Sequence, residues 1–209
     1  MRSAPRCRMA LTLLELVVVL VILVALAALV VPMVSYLSND SRDVVTRSSM
    51  NSLRDVIVNR YWPDMNGVMA GADGYPRPNP NDLGGRQNHP QLVFLFSPPS
   101  GVANYDPIYR RGWNGPYLQH SGGQYLVVGS FTATFGLNGD PTVLDGWGHP
   151  IVLQQPTVGN AAEQSLYTRL ISAGPDGVIQ TPANQLAPAR SSCGDDLVLY
   201  LRIADPRSN

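Results

Sequence analysis

The chain has 209 residues, and 15 basic residues balance 15 acidic ones for a formal net charge of zero. That balance argues against a nucleic-acid surface as its main business. Every basic residue is arginine, which excludes lysine isopeptide cross-links and lysine-based catalysis.

Arg2, Arg6 and Arg8 open the chain as a short basic leader, which the positive-inside rule keeps in the cytoplasm. An uncharged apolar run follows from Leu16 to Val34. As helix it spans about 28 Å, close to the thickness of a bilayer's hydrocarbon core. Glu15 heads that run, where a carboxylate is costly and marks a specific partner. A secretory signal peptide cut near Ala25-Leu26-Ala27 is one alternative, but the apolar run continues past it and an acidic residue is out of place there. A plain membrane anchor accounts for the length and leaves Glu15 unexplained. A buried core helix is disfavoured by the basic flank and the length.

Ala10-Leu11-Thr12-Leu13-Leu14-Glu15 resembles the prepilin peptidase site of type IV pilins and type II secretion pseudopilins. The resemblance implies a cut between Ala10 and Leu11, methylation of Leu11, and pairing of Glu15 with the terminal amine of a neighbouring subunit. Pro32 matches a proline of the family's helix, where its ring removes a donor and crowds the carbonyl four residues back. The family prefers glycine before the cut, and here the residue is Ala10.

Between Ser35 and Trp62, Val45, Met50, Leu53, Val56, Ile57 and Tyr61 recur mostly at three- and four-residue intervals. Arg42, Arg47, Arg54 and Arg60 fill much of the opposite face, so this stretch reads as an amphipathic helix that Pro63 stops. A helix from Leu13 to Trp62 would run on the order of 75 Å. From Pro63 to Gln91 the Gly-, Pro- and Asn-rich sequence, with Pro76-Arg77-Pro78-Asn79-Pro80, reads as an irregular surface loop. Leu92–Phe96 is a strand or a buried helical turn. Strand-like stretches follow at Gln124–Phe135, Pro150–Gln155, Leu166–Ser172 and Leu197–Ile203, the last three expected to form an antiparallel sheet against the amphipathic helix.

Trp113-Asn114-Gly115-Pro116-Tyr117-Leu118, Asp145-Gly146-Trp147-Gly148-His149-Pro150, and Ser172-Ala173-Gly174-Pro175-Asp176-Gly177 with a later Asp195-Asp196 are similar to motifs of the major pseudopilin of type II secretion. Their physical content is turn chemistry, with each Trp a large apolar anchor at the edge of a small core. The 119–144 segment is an insertion relative to that family.

Asp176, Asp195 and Asp196 offer hard oxygen ligands, and glycines at 174, 177 and 194 let carbonyls turn inward. Asp beside Gly is also common in plain turns. The resemblance implies a structural calcium ion here and places Ala173 with the three aspartates in the ligand set.

His89, His120 and His149 are scattered and form no metal-ligand spacing. Neither a nucleophile elbow nor a phosphate-binding loop is present. With Cys7 in the leader, the mature chain would hold Cys193 alone and no intramolecular disulfide.

The expected fold is therefore α+β and pilin-like: a long N-terminal helix packed on a small antiparallel sheet with long loops. The divisions are a leader over 1–10, a transmembrane and assembly helix over 11–34, the amphipathic half of the stem over 35–62, and an extracytoplasmic domain over 63–209. The resemblance implies a non-enzymatic subunit of a type II secretion pseudopilus in the inner membrane and periplasm. Its implied partners are copies of itself, other pseudopilins, the prepilin peptidase and the inner-membrane secretion platform. A type IV pilin or minor pseudopilin, and a membrane-tethered extracytoplasmic enzyme, are the competing readings.

Overall fold

The computed structural model describes residues 13–65, 74–79, 81–119 and 121–206, the side chains at 29–38 excepted. The chain is α+β, a helix with two small antiparallel sheets. By its internal contacts it divides into residues 1–41 and 42–209. Ala10, Leu11, His120 and the side chain of Pro32 lie outside the described residues.

Helix α1 covers Leu13–Val56. In the first unit its apolar side chains face solvent, from 47% exposure at Val17 to 83% at Leu13, and Glu15 is exposed among them. Among the described residues no helix is long and apolar enough to cross a membrane. The run from Leu16 to Val34 has its side chains described only as far as Ala28.

In the second unit the helix is amphipathic, and its buried positions are Thr46, Met50, Leu53, Ile57 and Tyr61. Steps of three and four residues keep these on one stripe. The stripe does not include Val45, expected inside but 56% exposed. Its neighbour Thr46 takes the buried place because it serves a polar contact: its hydroxyl donates to the Arg42 carbonyl at 2.8 Å and accepts from the Gly146 amide at 2.8 Å.

Pro63 does not stop the helix. Residues Ile57–Tyr61 form a π-helical turn, the Trp62 amide bonds the Ile57 carbonyl, and α2 (Trp62–Met65) carries on through the proline. A proline clashes with the carbonyl four residues back in a regular α-helix. The wider π turn just before it relieves that clash.

Three strands make the main sheet: β3 (Val152–Gln154), β4 (Arg169–Ser172) and β5 (Leu197–Tyr200). They pair antiparallel in the order β3-β4-β5, with Leu153 opposite Leu170 and Leu170 opposite Leu199. The three C-terminal strands thus form the sheet expected of them, each shorter than its apolar stretch. Leu166 belongs to no strand. It ends helix α3 (Ala161–Leu166), which starts at a capping box: Asn160 Oδ1 accepts from the Glu163 amide at 3.0 Å, and Glu163 Oε2 from the Asn160 amide at 2.8 Å.

All four residues of β4 are buried, because the sheet is covered on both faces. Leu170 and Leu153 join Met50, Leu53, Ile57 and Tyr61 in one core, while Ile171 and Val152 join Tyr125 and Phe131 in another. Alternation along a strand sends neighbouring side chains to opposite faces. The helix covers one face and the 121–144 segment the other.

That segment is not the long strand expected over Gln124–Phe135. Only Gly123–Gln124 (β1) pairs, with Pro141–Thr142 (β2). Beyond it Val128 and Phe131 exchange amide bonds of 3.1 and 3.0 Å across a tight reversal at Gly129, where φ is +59°. The reversal lets Tyr125 and Phe131 both turn inward, at 2% and 5% exposure, and leaves Leu126 and Val128 outside. Pairing the Arg86 guanidinium with both Asp140 oxygens fastens the segment to the preceding loop.

That loop is irregular but not simply superficial. Tyr75, Pro76 and Pro78 are buried, and the Tyr75 hydroxyl donates to the Ser165 carbonyl at 2.7 Å. Proline brings no N–H, so irregular backbone can be buried there without orphaning a donor. Leu92–Leu95 is a buried 3-10 turn.

Leu170 lies at 0% exposure between helix and sheet. Leu170→Ala should lower the unfolding free energy by about 2–5 kcal/mol, read as a fall in the urea midpoint. Val178→Ala, at a side chain 48% exposed, should leave that midpoint nearly unchanged.

Candidate functional site

The long connection between β4 and β5 brings the three aspartates of the C-terminal motif together. Asp176 closes a 3-10 turn over Gly174–Asp176, and Gly177 leaves it with φ of +70°. Asp176 Oδ1 accepts from the Val178 amide at 2.8 Å, and its other oxygen from Gln180 Nε2 at 2.5 Å. Asp195 Oδ2 accepts from the Asp176 amide at 3.3 Å. Asp196 is the most enclosed: its Oδ2 accepts from the Gln180 amide at 2.9 Å and from the Thr181 amide and hydroxyl, each at 2.6 Å.

Burial pushes the Asp196 carboxyl above the ordinary aspartate range, and the Asp195 charge adds to that, while the Thr181 and Gln180 hydrogen bonds pull the other way. Two oxygens here are buried without a hydrogen bond, Asp196 Oδ1 and Gln180 Oε1. Each is costly to leave unmet. Gln180 is the member that the sequence did not announce. Its amide reaches Asp176 on one side and lies against Gly194 on the other.

The donors of this loop are oxygens, the chemistry a hard cation takes. Asp195, Asp196 and Gln180 with the loop carbonyls fit such an ion. The three carboxylates by themselves do not: among the described residues, no group of three or more His, Cys, Asp and Glu is placed to hold a metal. Ala173 is fully buried beside them.

Of the two Trp motifs, the one at Asp145–Pro150 meets this loop and the one at Trp113–Leu118 does not. Asp145 accepts from the Trp147 and His149 amides, both at 2.9 Å, and from the Ser172 hydroxyl at 2.6 Å. His149 Nδ1 sits 3.0 Å from the Gly174 carbonyl. Ser, His and Asp therefore meet, but the serine is bonded to the aspartate rather than to the histidine that a hydrolytic triad would place beside it. Here the carboxylate organises a turn. The Trp113 indole donates to the Phe94 carbonyl at 3.1 Å and packs edge-on to Tyr117. Tyr117 in turn donates to Asp64 at 3.0 Å.

Arg169, at the head of β4, is fully buried. Its guanidinium donates to Gln154 Oε1 at 2.8 Å, to the Pro182 and Leu186 carbonyls at 2.8 Å, and to the Gln185 carbonyl at 3.3 Å. Such charge-assisted bonds are the strong ones, and here they shape the whole connection. Cys193 is buried, and its thiol contacts the Ala189 carbonyl at 3.3 Å.

Compared with known protein families, curated proteins and solved structures, the chain shows no significant match.

Gly174 has φ of +64°, and a Cβ there would meet the Asp195 carbonyl oxygen at 2.6 Å. Gly139 shares the left-handed backbone, φ +89°, with nothing within 4 Å of its Cβ position. Gly139→Ala should cost about 1–2 kcal/mol for the backbone alone. Gly174→Ala should cost more, and parallel urea titrations of the two variants measure the difference.

Proposed function

We propose that the chain is a pilin-like fibre subunit, of the pseudopilin type that serves protein secretion across the envelope. The observation that supports this best is the row of exposed apolar side chains from Leu13 to Leu26 with Glu15 inside it. An exposed apolar surface of that extent marks a lipid or protein contact. A carboxylate set in it calls for a cationic partner. Leu11, freed by a cut after Ala10, would supply that partner as the amine of a neighbouring copy. Before assembly the helix rests in the inner membrane with residues 42–209 in the periplasm, and other pseudopilins and the secretion platform are the remaining partners. In this reading the chain works by assembly and not by turnover.

Glu15→Ala should leave the protein inserted and processed to a mature N-terminus at Leu11, as read by mass spectrometry. It should lose fibres when assembly is scored by electron microscopy. Removing the carboxylate lowers the membrane penalty, so insertion is not what fails. Lost is an ion pair that low dielectric makes strong. Normal fibres from the variant, or a mature chain starting elsewhere, would count against the proposal.

We also propose that the C-terminal loop takes calcium, with Asp195, Asp196 and Gln180 as the side-chain ligands and Asp176 and the Ala173 carbonyl contributing. A cation would meet the two orphaned oxygens and offset the adjacent negative charges. Calcium at about a hundred times its dissociation constant should add about 2.7 kcal/mol, seen as a higher melting temperature. Chelator should reverse the rise, and Asp195→Ala should abolish it. Melting indifferent to calcium and chelator alike removes the ion from this account.

A further inference from the structure

A cleft of about 390 Å³ opens between the 121–144 segment, the loop before it and the connection after β4. Small-molecule sites are commonly this large. Among the described residues, none that line it is Asp, Glu, Lys or Arg. Its one titratable group is His89, whose pKa is lowered from 6.5 by burial and then by the Arg77 charge, so it is neutral at neutral pH.

The walls are held in place. Thr134 donates to Gln87 Oε1 at 3.1 Å, the Ile179 amide to Ser130 Oγ at 2.9 Å, and Gln154 Nε2 to the Thr181 carbonyl at 3.1 Å. Bonds from three segments fix the cleft before any ligand arrives, which lowers the cost of ordering it.

Which groups remain to meet a ligand decides its class. Much of the backbone of the walls is already engaged. The Thr181 amide bonds Asp196, the Ala183 carbonyl accepts from the Thr157 amide at 2.8 Å, and the Thr132 carbonyl accepts from the Tyr125 hydroxyl at 2.8 Å. An extended peptide relies on an open backbone edge to pair with, and these atoms do not offer one. Side chains do remain. Among the described residues the His89 ring, the Gln87 amide nitrogen and the Thr132 hydroxyl make no hydrogen bond, and the half-buried Phe135 ring lines the same space. Neutral amide, imidazole and hydroxyl groups around an aromatic ring match a ligand that is uncharged, rich in hydroxyls and apolar on one face.

We propose that this cleft binds a neutral saccharide, stacked on Phe135 and hydrogen-bonded by Gln87, His89 and Thr132. Ser130, Thr132, Thr134 and Phe135 of the 121–144 segment supply one wall, and the site is separate from fibre assembly while sharing Thr181 with the aspartate loop.

Calorimetric titration of the full-length chain tests it, in a detergent without a sugar headgroup, with triacetylchitotriose and cellotriose as probes up to about 10 mM. Saturable binding of at least one is expected. Phe135→Ala should weaken it by about tenfold or more, and Thr132→Val and Gln87→Ala should weaken it while melting stays near that of the parent. Should Phe135→Ala fail to fold, the two polar variants carry the test. No heat with either sugar overturns the proposal. So does binding that all three variants leave unchanged, or binding of an uncharged, end-capped tetrapeptide in place of the sugars.

Discussion

Strand β4 is the constraint on which the rest of the second unit depends. Four consecutive residues are buried, and each answers to a different neighbour. Leu170 meets the helix, Ile171 meets the 121–144 segment, Arg169 gathers the carbonyls of the following loop, and Ser172 reaches Asp145. A strand in a small sheet usually shows one face to water and reads as alternation. This one has no wet face, so a change in register would misplace a core residue on each side and strand a buried guanidinium.

That guanidinium explains how a long connection keeps its shape. Between β4 and β5 the chain makes only two short 3-10 turns. Its carbonyls at 182, 185 and 186 would otherwise need water. Arg169 satisfies them from inside, and its charge lies 6.0 Å from the centre of the Tyr200 ring on β5. The same residue thus ties sheet, loop and final strand together. Asp145 does the corresponding work on the other side, closing its own turn and holding Ser172. The aspartate loop belongs to the same connection, and its Asp176 and Asp196 carboxylates are held by bonds from Gln180 and Thr181.

The 121–144 segment changes the meaning of the sheet's second face. Without Tyr125 and Phe131, Val152 and Ile171 would face water. With them, a second core forms, and the outer side of the segment becomes a wall of the neutral cleft. The segment thus closes a core on one side and lends Ser130, Thr132, Thr134 and Phe135 to the cleft on the other. A covering segment bound on one side to the core and on the other by the Arg86–Asp140 pair is held firmly enough to shape a site.

By itself the sequence determined the amphipathic stripe around Met50, Leu53 and Ile57, the three C-terminal strands, and the turn chemistry of the Trp and Asp motifs. Each depends on local periodicity or on residues with restricted backbones, and these are written in neighbouring positions. The capping box at Asn160 and Glu163 was legible in the same way, though an apolar run ending in a strand masked it. Tertiary structure alone decided the rest. Pro63 remains in a helix because a π turn precedes it, and Val45 yields its inner place to Thr46 because Gly146 needs an acceptor. Gln180 enters the aspartate loop because of a fold-back that no spacing foretells. Arg169, read from its type, belongs on the surface. It is buried because carbonyls far along the chain converge on it, and convergence of that kind has no signature in local sequence.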